Sequence, residues 1–236
     1  MMLFSLVPIF FMSQKKVIHQ NLIWYGYYAQ IKLSKKWFWL SEVQERHFIQ
    51  PFAQHQLVFR NNLRYKITAN WNILMGFTNF YQSPNDPSST SDLVIPELRP
   101  DIGLENNQTY KRLSISHRYK LEARFFHQSN KEELTGGYQY SNLRFRYQIG
   151  IDVPIIKSLK NNSELTFKLK DELMVNIGSK IIKNTFDQNR IYAALHYKIN
   201  NNIGVEAGYM NWYQQKSSGD EFYSRNIVRL SLFHNL

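Results

Sequence analysis

The stretch Leu143 to Asp152, LRFRYQIGID, alternates apolar and polar side chains almost without a break. Leu143, Phe145, Tyr147, Ile149 and Ile151 fall on one face of an extended chain, and Arg144, Arg146, Gln148, Gly150 and Asp152 on the other. The same period of two recurs from about residue 21 to the C-terminus. No stretch carries the 3.6-residue period of an amphipathic helix. The chain reads as all-β.

Eleven segments show the pattern. NLIWYGYYAQIKL sets Ile23, Tyr25, Tyr27, Ala29, Ile31 and Leu33 against Gln30 and Lys32, and WFWLSEVQERHF follows it. QLVFRNNLRYKI places Leu57, Phe59, Leu63, Tyr65 and Ile67 opposite Arg60, Asn62, Arg64 and Lys66. WNILMGFTNFY has Trp71, Ile73, Met75, Phe77 and Tyr81 on its apolar side. A weaker segment, Val94 to Leu104, contributes Glu97, Arg99 and Asp101 to the polar set; its Pro96 and Pro100 predict irregular pairing or a bulge. LSISHRYKLEARF, the opening stretch, ELTFKLKDELMVN, RIYAALHYKI, IGVEAGYMNWY and NIVRLSLFHNL complete the series, with Asp171 an exception on an otherwise apolar face.

The connections differ by turns. Ser34–Lys36, Thr68–Asn70, Asn106–Lys111, Ile156–Asn162 and Asn200–Asn202 are short or basic. SPNDPSSTSD, QSNKEELTGGYQY, NIGSKIIKNTFDQ and QQKSSGDEFYS are longer and rich in Ser, Asp, Gly and Asn. Short turns at one end and long loops at the other characterise an up-and-down transmembrane barrel.

Two folds compete for such alternation. A soluble lipocalin-like barrel turns its apolar face inward and its charges to water. A transmembrane barrel inverts this, with apolar residues on lipid and charges inside. The segments run to about 10–14 residues, whereas ordinary strands peak at about 5–6 and a membrane-crossing strand needs roughly 9–11. Trp37, Trp39, Trp71, Tyr81, Tyr209 and Tyr213 lie near segment ends, as interfacial girdles of rings would. Strands in lipid must close into a barrel, because no backbone group there can stay unpaired. The reading is therefore an antiparallel up-and-down transmembrane β-barrel of about 10–12 strands, an even number being usual, with ten or twelve expected.

On that reading the lumen receives Arg60, Arg64, Glu97, Arg99, Arg118, Lys120, Glu122 and Arg124 from the first half of the chain. The second half adds Arg144, Arg146, Lys168, Lys170, Glu172, Arg190, Lys198, Glu206 and Arg229. Glu97, Glu122, Glu172 and Glu206 are then available to pair with the cations, as buried charge requires. Two outcomes follow: a packed polar plug, because a small barrel is filled by its own side chains, or a narrow anion-preferring pore lined by the excess of Arg and Lys.

The formal net charge of +11 in 236 residues invites a nucleic-acid reading. Such binders gather basic residues on one patch or helix face, whereas here they are spread along the chain at alternate positions, so no nucleic-acid partner is expected. Without cysteine, disulfides and thiolate metal sites are excluded. Beyond the N-terminus no apolar run approaches the roughly 20 residues of a spanning helix. The N-terminal MMLFSLVPIFFMS has the apolar core of an export signal without a basic leading region or a clear cleavage site. Residues 1–20 are assigned to a leader and 21–236 to a single barrel domain.

HQNLIWYGYYAQIKLSKKW, ELRP, SHRYKLEARF, TFDQNRIYAALHYKI and GYMNWYQQ resemble a family of uncharacterised outer-membrane barrels from Bacteroidota, domain of unknown function 2490. The resemblance covers essentially the whole chain after the leader. It implies an outer-membrane location and a barrel fold, with lipid and lipopolysaccharide as surroundings and an unidentified membrane complex as a possible partner. It brings no catalytic residues, and the weak leader departs from a typical exported member.

Catalytic signals are thin. Some outer-membrane barrels are lipid-modifying enzymes that pair a Ser nucleophile with a His base. Ser116 and His117 are adjacent, so a strand points them to opposite faces. His127 and Ser129 share a face where a strand enters a long loop, an arrangement that a solvated His and Ser explain as well. His47, His55, His117, His196 and His234 lack the spacing of a metal cluster. Asp86, Asp92, Asp187, Asp220 and Glu221 are placed in outer loops, where they serve as solvated charge or bridge divalent cations to lipopolysaccharide. No catalytic residue, cofactor or metal ligand is assigned, and a non-enzymatic barrel is expected.

Overall fold

The computed structural model describes residues 15–130, 132–158, 162–179, 181 and 185–236. Eleven strands follow one another: β1 Lys16–Lys32, β2 Trp37–Phe48, β3 Ala53–Lys66, β4 Trp71–Gln82, β5 Ile95–Tyr110 and β6 Leu113–Ser129, then β7 Leu134–Ser158, β8 Ser163–Ile177, β9 Phe186–Lys198, β10 Ile203–Gln215 and β11 Glu221–Asn235. Each pairs with its neighbours in sequence, and β11 meets β1 to close a barrel.

The expected even strand number is not found. All eleven alternating segments are strands, and an odd meander leaves the first and last pointing the same way. β1 and β11 accordingly pair in parallel, Lys16 opposite Glu221 and Gln30 opposite Asn235. A parallel ladder occupies backbone donors and acceptors along its length as an antiparallel one does, so closure does not depend on parity. β1 begins at Lys16, so residues 16–20, within the stretch assigned to a leader, pair with β11. The stretch 1–14 lies outside the described residues.

One mouth carries the connections 33–36, 67–70, 111–112 and 199–202 and the C-terminus. Three of its turns share a device: the Ser34 Oγ, Thr68 Oγ1 and Asn200 Oδ1 atoms each accept two backbone N–H groups just downstream, the side-chain-to-backbone bonding that favours these residues in turns. The Leu236 N–H donates to the Gln30 carbonyl at 2.8 Å and pins the chain end to this rim. The longer connections, 83–94, 178–185 and 216–220, gather at the other mouth, where β1 also starts.

β5 runs to Tyr110, beyond the segment read from the sequence. Its ladder with β4 is unbroken, but towards β6 the pairing passes from Leu98↔Phe125 to Asp101↔Glu122 without a shift of register. This gap at Arg99 and Pro100 is the irregularity that a proline, lacking an N–H, imposes. Register shifts fall elsewhere, at Arg46/His47 in β2, Arg124/Phe125 in β6, Pro154/Ile156 in β7 and Met174/Val175 in β8.

The two faces are inverted relative to a soluble barrel. In β7, Arg144 and Arg146 retain only 3% and 6% of their surface, while Leu143, Phe145, Tyr147 and Ile149 lie on the opposite, partly exposed face. Tyr25, Phe59, Met75, Phe77, Leu121, Leu169, Leu195 and Leu230 are exposed on the outer wall. The interior is itself divided. Leu22, Trp24, Phe48, Tyr192, Ala194, Met210, Trp212 and Ile227 form an apolar cluster beneath β1, β2, β9, β10 and β11. Buried ionic groups crowd β5 to β8, among them Glu97, Lys120, Glu122, Arg144, Arg146 and Glu172.

Candidate functional site

Charged side chains converge in the lumen, and strand alternation delivers them. Glu122 on β6 receives Arg144 and Arg146 from β7, each at 2.6 Å. Arg146 continues to Glu172 on β8 at 2.7 Å, and Arg118 reaches the same carboxylate at 2.8 Å. Arg144 also binds Asp187 at 3.1 Å. Nearer the long-loop mouth, Glu97 is clamped by Arg99 at 2.5 Å and Arg124 at 2.6 Å. Towards the other mouth lie Lys120–Asp101 at 2.9 Å and Arg60–Glu42 at 2.7 Å. Charge-assisted bonds of this kind are short and directional, and each buried carboxylate here meets at least one cation.

The remaining lumenal positions are held differently. Glu206 accepts the Tyr192 hydroxyl at 2.7 Å, with His196 at 3.4 Å and Lys168 at 3.6 Å. Lys170 shares the inward face of β8 with Lys168 and Glu172, and Lys198 pairs in register with Glu164. Arg64 donates to Gln30 at 2.6 Å and stacks on Phe38, while Arg229 bonds the Tyr28 hydroxyl. Arg190 has no carboxylate within 4 Å among the described residues; it lies over the rings of Trp212 and Trp24 and donates to Gln188.

These side chains split the lumen into two cavities. The one at the long-loop mouth measures about 430 Å³ and is lined by Arg99, Arg124, Arg144, Arg190, Trp212 and Gln214, among others. The one at the short-turn mouth measures about 240 Å³, with Tyr28, Glu42, Arg60, Lys120 and Arg146 on its walls. They have no lining residue in common, and Glu122, Glu172, Arg46 and Tyr192 line neither.

A scan against family models matches residues 21–223 to the family described as "Protein of unknown function (DUF2490)". The chain belongs to this family. Its fold is also that of a solved structure described as the NanC porin in a rhombohedral crystal form, at a TM-score of 0.52, 14% identity, and 91% of this chain over 99% of that one. No curated protein sequence matches the chain.

In this DUF2490 barrel His127 and Ser129 make no hydrogen bond to each other. The Nδ1 atom of His127 lies 3.0 Å from the Gln128 carbonyl and its ring packs edge-on to Tyr138. Ser129 stands beyond a register shift, opposite Leu134. Among the described residues, no three His, Asp or Glu side chains come together as metal ligands. Asp187, placed in an outer loop by the sequence reading, is instead a buried partner of Arg144 at the start of β9. Tyr209, read as near a segment end, stands midway along β10, where its hydroxyl donates to Asn226 at 2.6 Å.

Several lumenal groups escaped the sequence reading. Glu42, Arg46 and Arg225 lie inside, as do Trp24, Tyr28 and Trp212. Alternation carries the signal for most of them: in NLIWYGYYAQIKL, Trp24 and Tyr28 fall on the Gln30 face, and an aromatic there is inward whatever its polarity. On the outer wall, Asp171 accepts from Asn189 at 2.6 Å, and Asn211, Asn226 and Asn21 form a chain of amide contacts.

Proposed function

We propose that this barrel resides in the outer membrane of a Gram-negative cell and is sealed by its own side chains, with a structural or accessory role and no catalysis. Lipid and lipopolysaccharide are then the partners of its apolar outer wall. The location is supported by that wall, by closure of the sheet, and by Trp37, Trp39 and Trp71 exposed near the short-turn mouth. Strands of 12 residues and more suit a membrane crossing.

The observation that carries the sealed lumen is the bridge from Glu122 through Arg146 to Glu172, lying between two cavities that share no wall. Both partners of each ion pair are buried, so an ion crossing this layer must break charge-assisted bonds with no hydration to replace them. Planar-bilayer recording of the refolded protein tests the reading: a baseline indistinguishable from bare lipid is expected. A steady ohmic current would replace the plug with a narrow pore, and anion preference would then follow from the excess of arginine. Heat-modifiable migration of protein extracted from outer-membrane fractions tests the location.

A further inference from the structure

We infer that the cavity at the long-loop mouth binds a small organic oxyanion, a carboxylate or a phosphate, on the Arg190 guanidinium. The proposal depends neither on the membrane location nor on the sealed lumen.

Six lumenal arginines own a carboxylate within 4 Å. Among the described residues Arg64 and Arg229 have none and bond Gln30 and Tyr28 instead, and three others, Arg46, Arg190 and Arg225, have none either. The three gather on two tryptophans. Arg46 lies 3.8 Å from the Trp24 ring centre, Arg190 4.6 Å from that of Trp212, and Arg225 4.5 Å from the same ring. Their hydrogen bonds go to neutral oxygens: Arg46 to Gln44 and Gln56, Arg190 to Gln188, and Arg225 to Gln20, Gln214 and Asn85. Amide oxygens satisfy the N–H groups without cancelling the charge. Glu172, the cross-strand neighbour of Arg190, has its Oε1 atom occupied by Arg118 and Arg146.

The cavity supplies the second half of the site. Its charged lining comprises Arg99, Arg124, Arg144, Arg190 and Lys216 against Glu97 and Asp187. Both Glu97 oxygens are taken by Arg99 and Arg124, and the Asp187 Oδ2 atom by Arg144 and Gln188. Arg144 and Lys216 are paired as well, with Glu122 and Glu221, so Arg190 is the lining cation that has no carboxylate among the described residues. The Arg190 Nε–H donates to Gln188, and its two Nη atoms have no hydrogen-bond partner among the described residues. A guanidinium that lines a cavity with no carboxylate within 4 Å calls for an acceptor carrying negative charge. In a site shielded from water such bonds are stronger than at a surface. The volume of about 430 Å³ suits a small molecule and exceeds what one water needs. Phe80, Phe126 and Phe186 on the same wall accommodate an apolar body behind the oxyanion.

Calorimetric titration of the refolded full chain in detergent, in low-chloride buffer, tests the site. The probes are benzoate and inorganic phosphate, with benzylammonium as the cationic control. Saturable binding of at least one oxyanion and none of benzylammonium is expected. Arg190→Gln should weaken it at least tenfold, whereas Arg64→Gln, at the opposite mouth, should leave it unchanged. Should Arg190→Gln fail the heat-modifiability test of folding, Arg190→Lys, which keeps the charge and loses the planar fork, should weaken binding severalfold. Absence of saturable binding by both oxyanions, equal binding of benzylammonium, or affinity unaltered in the folded variant would overturn the proposal.

Discussion

Arg146 and Glu122 meet at 2.6 Å across the β6–β7 pair, and the same guanidinium reaches Glu172 on β8 at 2.7 Å. One side chain thus ties three strands together from the inside. Removing one partner of a buried pair leaves the other uncompensated, a loss of about 3–5 kcal/mol. Glu122→Ala, which strands both Arg144 and Arg146, is expected to fall in that range when urea unfolding of the refolded barrel is compared with wild type. A loss below about 1 kcal/mol would show that these charges are hydrated in place.

Removing both sides of the bridge asks a different question. Glu122→Ala combined with Arg146→Ala takes away the layer between the two cavities while cancelling opposite charges. Planar-bilayer recording of the folded double variant should show current that the wild type lacks. Silence from that variant would place the seal elsewhere, with Trp24, Arg46 and Tyr192 the next residues to truncate.

The outer wall makes its own prediction. Phe145 has Leu121 and Val175 as cross-strand neighbours, so an aspartate there would face lipid with no amide to receive it. Basic residues on such a face cost about 2–4 kcal/mol at mid-depth, and acidic ones less. Phe145→Asp is therefore expected to lower the fraction of heat-modifiable protein assembled in vesicles. Asp171→Leu should assemble at least as well as wild type, because it removes a carboxylate held on that wall only by Asn189. Equal assembly of Phe145→Asp and wild type would reverse the assignment of the two faces.

Gly208 is small because Tyr192 lies across it. A Cβ there would stand 2.6 Å from the Tyr192 ring and hydroxyl and 2.7 Å from the Ala194 Cβ. Gly208→Ala must push Tyr192 off Glu206, and overpacking of this kind costs typically about 1–3 kcal/mol. The urea midpoint should fall accordingly, and a midpoint equal to wild type would mean that Tyr192 moves freely.

Much of the architecture is legible in the alternation because a barrel strand has only two environments, and side chains sort between them by polarity. Arg144 and Arg146 declare the inward face of β7 unaided. The reading weakens where polarity and environment part company. Trp24 and Trp212 are apolar yet inward, because one side of the lumen is packed like an ordinary core. Asp171 is charged yet outward, tolerated through Asn189 on the next strand, a relation that needs the register to be seen. Asp187 looks like loop because a shift in the β8–β9 ladder hides its phase. Strand parity was illegible for another reason: no local pattern distinguishes a strand that will pair in parallel. The site around Arg190 was half visible, since its charge and facing follow from alternation whereas its lack of a carboxylate is a property of three dimensions.

The parallel seam between β1 and β11 gives the molecule a polarity that an even-stranded cylinder lacks. Lys16 and Leu236 emerge at opposite rims, so a label at each would report a different mouth of the barrel. The seam also joins partners as far apart as Asn21 and Asn226, 205 residues along the chain, and can form only after the whole meander has been laid out. Contacts of such range slow folding, which makes the seam the last stitch and the step at which an unfinished cylinder shows open edges to its neighbours.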